Sequence, residues 1–194
     1  MVGWVETTLG AICQIKPPKK EAKQKLSDSE MVSFVPMNNL GICTKAIELD
    51  EDKTLGEVSR SYTYFADDDV LLAKITPCFE NGKLGIARGL TNGIGFGSSE
   101  FIVFRSKGTI DPEFLFYFLA QDSFRVSGAR IMTGAVGHKR VTKEFIEDHP
   151  IILPPSPNKS ALSPFSMKPL RGSMRQSPIP RRTSPMPVSC LKAI

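Results

Sequence analysis

The sequence predicts an α/β (α+β) fold: a mixed, largely antiparallel twisted sheet with short flanking helices, followed by an irregular tail. Three observations predict it. Short runs rich in β-branched and aromatic residues recur between Gly, Asn and Pro turns, the pattern of strands. Segments with helix start signals are interspersed without the regular strand–helix alternation of a doubly wound sheet. Beyond Pro155 the composition changes abruptly, which divides the chain into domains 1–155 and 156–194. With 194 residues, 41% hydrophobic and 23% charged, the chain has apolar material for one core of ordinary size plus an appendage.

Taken in order, an extended Trp4-Val5 leads into Thr7 to Ile15, where Leu9 and Ile12 stand at helical spacing and predict a short opening helix. Five lysines and two prolines in residues 16–25 break it, and read as a solvated loop with phosphate contact as the alternative. Val32 to Met37 alternates as a strand ending at the turn Asn38-Asn39-Leu40-Gly41. Tyr62 to Phe65, Val70 to Ile75, Gly85 to Ala87 and Phe101 to Arg105 are further strands, joined mainly by hairpin-like connections. Thr91 to Gly97 carries G-x-G-x-G with no helix pattern after it, and reads as a turn between strands and not as a dinucleotide loop. Asp111-Pro112-Glu113 starts a helix: an aspartate cap, proline at the first position, and an acid matched to the dipole. The run Phe114 to Leu119 is apolar nearly all round, so that helix is buried. A last short helix over 142–148 ends at Pro150, and Ile151-Ile152-Leu153 is extended.

The net charge of +5 suggests nucleic acid until it is divided along the chain. Residues 156–194 hold seven bases and no acid, which leaves 18 bases against 20 acids in the body, net −2. A body that binds DNA must therefore use a local basic patch. The tail also has seven prolines and eight serines in 39 residues, a composition that forms neither helix nor sheet. It reads either as a basic arm or as an out-of-frame remnant. If the frame slipped by one nucleotide, tail codons beginning with T mark apolar residues of the other frame. Leu162, Ser166, Leu170, Ser173, Ser177, Ser184 and Leu191 all have such codons, and their spacings of 4, 4, 3, 4, 7 and 7 form a heptad stripe. With permitted codons the neighbouring frame begins LAEQKRI and runs on as a long amphipathic helix.

Chemistry finds little support in the residues. Cys13, Cys43, Cys78 and Cys190 are scattered with no C-x-x-C pair, so neither a zinc site nor a disulfide framework is signalled. His138 lies in a basic loop and His149 precedes a proline, which suits surface or structural roles. Asp67-Asp68-Asp69 reads as a solvated turn and not a metal site, and Glu21-Ala22-Lys23 as a chance fragment of a nuclease pattern. No membrane span and no leader pattern are present, so a cytoplasmic chain without cofactors is expected. Two polar loops stand out instead: Lys74 to Lys83, which ends a strand, and Thr133 to Arg140, whose free N–H groups, hydroxyl and cations suit a phosphate.

The segments DVLLAKITPCFENGKLGIA, GFGSSEFIVFR, DPEFLFYFLAQDSFR and MTGAVGHKRVTKEFIEDHPIILPP, in that order, resemble a target recognition domain of the specificity subunit of type I restriction-modification systems. The resemblance covers residues 3–155, and the helix beginning LAEQKRI is similar to that family's spacer helix. It implies a non-catalytic protein that reads one half of a split site in double-stranded DNA. Methyltransferase and restriction subunits are then the partners that hold the catalysis, and self-association through the spacer is a further expectation. It also implies Lys74, Thr76, Asn81 and Lys83 as DNA contacts, Ser98 and Ser99 flanking the cleft, and Thr133, Gly134, Lys139 and Arg140 as a backbone-anchoring loop. The family often has glutamine where this chain has His138. The competing expectation is a nucleic-acid adaptor that works through the basic tail.

Overall fold

Side chains that alternate along the inner strands of two sheets, buried on both faces, determine the architecture. A computed structural model describes residues 4–153 of the chain, so the expectations for 156–194 lie outside the described residues. The strands are β1 (Val5–Thr8), β2 (Cys13–Ile15), β3 (Met31–Val35), β4 (Asp52–Thr54), β5 (Thr63–Ala66), β6 (Val70–Ala73), β7 (Leu84–Ile86), β8 (Ile94–Gly97), β9 (Phe101–Ser106) and β10 (Pro150–Leu153). The helices are α1 (Leu9–Ile12), α2 (Lys20–Lys25), α3 (Leu55–Val58), α4 (Pro112–Leu119), α5 (Asp122–Arg130) and α6 (Lys143–Asp148). A central sheet has the order β2-β9-β6-β7, a second sheet β4-β3-β8-β5, and β1 pairs with β10 as a separate ribbon. Every pairing is antiparallel except β3 with β8. The mixed, largely antiparallel fold with short helices is as the sequence predicts, with the strands divided among these sheets.

The central sheet is apolar on both sides because its strands alternate between two cores. Val70 and Leu72 of β6, with Phe104 of β9, face a cluster supplied by α1, α4, α5 and α6. Leu71 and Ala73, with Phe101 and Val103, face the second sheet, where Val35 and Phe65 meet them. The far side of the second sheet (Val32, Phe34, Tyr64, Ile94 and Phe96) is covered by Ala22 of α2 and by Leu55 and Val58 of α3. Burying one such side chain fully is worth about 1.5–3 kcal/mol, which is why strands flanked by two cores tolerate no polar slip of register. The helix starts follow their caps: Asp111 Oδ1 accepts from Glu113 N at 2.8 Å, and Thr142 Oγ1 from Phe145 N at 3.3 Å.

Four expectations are corrected. Residues 16–25 are not wholly a loop, because α2 forms within them and buries Ala22 beneath the second sheet. The opening helix stops at Ile12, and Cys13–Ile15 are recruited as an edge strand by β9. Thr91–Gly97 is a turn only as far as Gly93; Ile94–Gly97 is the strand β8 at the centre of the second sheet. Its glycines are explained by close neighbours on both sides: a Cβ on Gly95 would strike the ring of Phe65 on the adjacent strand β5, and one on Gly97 would strike the Val35 carbonyl of β3 and the Phe101 ring of the central sheet. Asp69 leaves the solvated turn and is 1% exposed, paired with Arg105.

Candidate nucleic-acid interface

One end of the central sheet gathers the polar loops that the sequence singles out. β9 runs antiparallel to both β2 and β6, so Lys16 after β2, Lys74 after β6 and Ser98–Glu100 before β9 emerge at the same end. Lys16 N donates to Val103 O at 2.8 Å and Lys74 N to Glu100 O at 2.9 Å, which anchors both loop starts to β9.

The segment Thr133 to Arg140 closes over this end as a small hairpin. Thr133 and Arg140 exchange backbone hydrogen bonds of 3.0 and 2.8 Å, and His138 N donates to Ala135 O at 2.9 Å across the tip. Arg140 also bridges to Ile75, flanked by Thr76 N to Lys139 O and Val141 N to Lys74 O, both 2.9 Å. The hairpin is therefore an extra ladder grown onto the end of β6. Gly134 has φ +127°, and a Cβ there would lie 2.8 Å from the His138 carbonyl oxygen, so the position requires glycine. The tip is open to solvent, with Val136 94% exposed.

The charges at this end are organised around Glu100. Arg140 Nε donates to Glu100 Oε2 at 2.9 Å and Nη2 to Oε1 at 2.8 Å, a two-point pair. Lys74 Nζ donates to Ser99 O at 2.9 Å and lies 4.0 Å from Glu100 Oε2. Burial pushes the Lys74 amine below its ordinary range, Glu100 opposes this, and Lys16 and Arg140 add to it. Hydrogen bonds from Arg140 hold the Glu100 carboxyl below the usual range, and the Arg140 guanidinium is raised in return. Lys16 also lowers Lys19, behind that residue's own burial, and Lys19 Nζ donates to Arg60 O at 2.9 Å. A cationic strip thus runs through Lys19, Lys16, Lys74 and Arg140.

The remaining expected contacts divide. Thr133, Gly134 and Lys139 are exposed on the hairpin, and Ser99 is exposed beside it. Ser98 Oγ accepts from Glu100 N at 3.2 Å and shapes the turn into β9. Thr76 Oγ1 donates to Glu80 Oε1 at 3.0 Å, while Glu80 Oε2 is buried without a partner. Asn81 is exposed in the turn, its N–H held by Pro77 O, and Lys83 Nζ is engaged by Met37 O at 2.9 Å. Sequence reasoning missed Lys16 and Lys19 as neighbours of this cluster and missed Glu100 altogether. The available signal was Glu100 standing directly beside Ser98-Ser99, but its partner lies 40 residues away.

Other titratable groups have structural partners. His149 packs on Phe124 and Phe145 with ring centroids 4.8 Å away in each case, and burial lowers its pKa. Asp67 Oδ1 accepts from Leu90 N, and Asp68 pairs with Arg88. Among the described residues no group of three His, Cys, Asp or Glu could hold a metal ion, and no helix is long and apolar enough to cross a membrane.

This end, with its hydroxyls, glycine hairpin and cations, belongs to a recognisable fold. The family model for the type I restriction modification DNA specificity domain matches residues 1–162. The chain belongs to that family. This specificity domain is 37% identical over 162 residues to the type I restriction enzyme EcoEI specificity subunit of Escherichia coli, covering 82% of the chain and 26% of the relative. It is 41% identical over 155 residues to the EcoAI specificity subunit of the same organism, covering 79% and 26%. The chain thus spans about a quarter of the length of these curated relatives. Among solved structures, a chain from work on complex assembly and conformational transition of the type I R-M system superposes with a TM-score of 0.62 at 19% identity, covering 79% of this chain and 38% of that one. The HsdS subunit from Thermoanaerobacter tengcongensis superposes with a TM-score of 0.58 at 21% identity and the same coverage. Both share the specificity domain's fold.

Proposed function

We propose that this chain recognises duplex DNA as a non-catalytic specificity subunit. It reads one half of a bipartite target in the cytoplasm, for methyltransferase and restriction subunits that carry the chemistry. The observation that supports this most is the cationic strip on a body of net charge −2, since such a body needs a local patch to meet phosphates. In this reading Thr133, Gly134, Lys139 and Arg140 hold the backbone, while Lys74, Thr76, Asn81, Lys83, Ser98 and Ser99 line the approach to the bases. Residues 1–155 are the recognition module. The 156–194 segment is an out-of-frame remnant of a spacer helix whose loss impairs assembly and self-association.

Fluorescence anisotropy with duplex DNA tests the assignment. Reversing both charges in K139E/R140E weakens binding to all sequences about tenfold or more and lowers the salt slope by about two. Unchanged affinity and slope would sink it. The tail supports a second reading, a basic arm that gathers nucleic acid, because its +7 charge lies outside the body. Deleting 156–194 separates the two: binding kept by the body favours recognition, and binding lost favours the arm. The nucleotide sequence across codons 150–194 decides the frame, since a genuine tail predicts stops in the neighbouring frame.

A further inference from the structure

Glu100 stands where a ligand of the cationic end would stand. Its carboxylate presents both oxygens to Arg140 in the parallel two-bond geometry that a guanidinium also uses on the two free oxygens of a phosphodiester. Lys74, whose ammonium is 4.0 Å from the same carboxylate, supplies a second cation, and Lys16 lies close enough to repel it. The carboxylate is not needed to hold the hairpin. Its stem is fixed by backbone bonds between Thr133 and Arg140, Thr76 and Lys139, and Val141 and Lys74. The ion pair is also partly open to water, with side-chain exposures of 46% for Arg140 and 22% for Glu100, so an incoming anion can reach it.

We infer that Arg140 and Lys74 form a binding site for one DNA backbone phosphate, and that Glu100 occupies it in the free protein as an internal stand-in. Any phosphate that takes the site must displace the carboxylate. A casual encounter, with few other contacts, gains little from that exchange; full docking gains it along with every other contact. Glu100 thereby acts as a specificity-determining residue that suppresses binding to arbitrary duplex. The inference rests on the DNA-recognition reading above.

The test uses the full chain and a duplex of random sequence, titrated across about 50 to 200 mM salt, where phosphate contacts dominate affinity. Glu100→Gln removes the competitor, and Glu100→Asp keeps its charge while shortening its reach, so that two-point pairing is lost. Both tighten binding, Glu100→Gln by about tenfold with a salt slope steeper by about one, in line with one more phosphate contact. In an Arg140→Gln, Lys74→Gln background the same Glu100→Gln change adds little. Thermal melting of each variant checks folding, and the Asp variant alone suffices if the Gln variant does not fold. The inference is overturned if both Glu100 variants leave affinity unchanged or weaken it. It is equally overturned if the gain survives in the Gln background, since that is general repulsion. If K139E/R140E is silent as well, the recognition reading itself fails; if that variant loses binding while the Glu100 variants stay silent, only the present inference does.

Discussion

Two arginine–carboxylate pairs at opposite ends of β9 have the same geometry in different surroundings. Arg105, near the end of β9, grips Asp69 through Nε at 2.8 Å and Nη2 at 2.6 Å, reaches Glu21 with Nη1, and lies 5.4 Å from the Tyr64 ring. Asp69 is 1% exposed there, shut between the two sheets. Arg140, on the 133–140 hairpin, grips Glu100 at the start of the same strand just as squarely, but in partial contact with water. The first pair ties α2, β5 and β6 to β9 and has no competitor. The second faces solvent, where another anion can replace the carboxylate. Geometry alone does not separate a structural ion pair from an exchangeable one; burial does.

The largest effect is expected at the buried end. Asp69→Ala removes the buried partner of Arg105, leaving it only the partly exposed Glu21, and is expected to cost about 3–5 kcal/mol in urea unfolding. Replacing both Asp69 and Arg105 by apolar residues of similar volume should recover most of that loss, because the half-paired cation is then gone and Glu21 keeps its contact with water. Arg140→Gln is expected to change stability by less than about 1 kcal/mol, as partly exposed pairs do, while weakening DNA binding. A loss as large as that of Asp69→Ala would show the exposed pair to be structural.

Two smaller effects of pH sharpen the contrast. Burial lowers the folded-state pKa of His149 from its ordinary value of 6.5, so the unfolded chain binds the extra proton first. Stability therefore declines as pH falls below about 6.5, and His149→Phe should flatten the urea midpoint over that range. The Glu100 carboxyl is lowered by Arg140 from an ordinary value of 4.5, so its pairing is fully present above that pH and is lost as pH falls through the depressed folded value. A urea midpoint difference between the native chain and Arg140→Gln that is constant from pH 7 to about 5 and vanishes in stronger acid checks this.

Legibility followed the range of the interactions. The helix over Pro112–Leu119 was readable because its cap, its proline and its acid lie within three residues. The strands over 31–35, 63–66, 70–73 and 101–106 were readable from composition and turns. α5 was not, since its sequence DSFRVSGAR is polar and contains glycine; it is held by burying Phe124 and by the Gly128 backbone lying against the Phe79 ring. The two loops of the candidate interface were legible as glycine-bearing and basic, and their resemblance to a recognition domain named the residues. Their meeting around Glu100 was not legible, because Glu100 is 40 residues from Arg140 and 26 from Lys74.

By itself, the sequence determined the class of fold, most of the inner strands, the capped helices and the uneven division of charge between body and tail. Each of these is written in neighbours along the chain, through periodicity, capping and composition. Only the tertiary structure decided that the glycines of β8 make room for Phe65 and Phe101, that Asp69 is buried on Arg105, and that Lys16, Lys74, Arg140 and Glu100 share one end of a sheet. Those outcomes depend on which strands become neighbours. Strand order is settled by packing three cores at once, a condition no local stretch of residues contains.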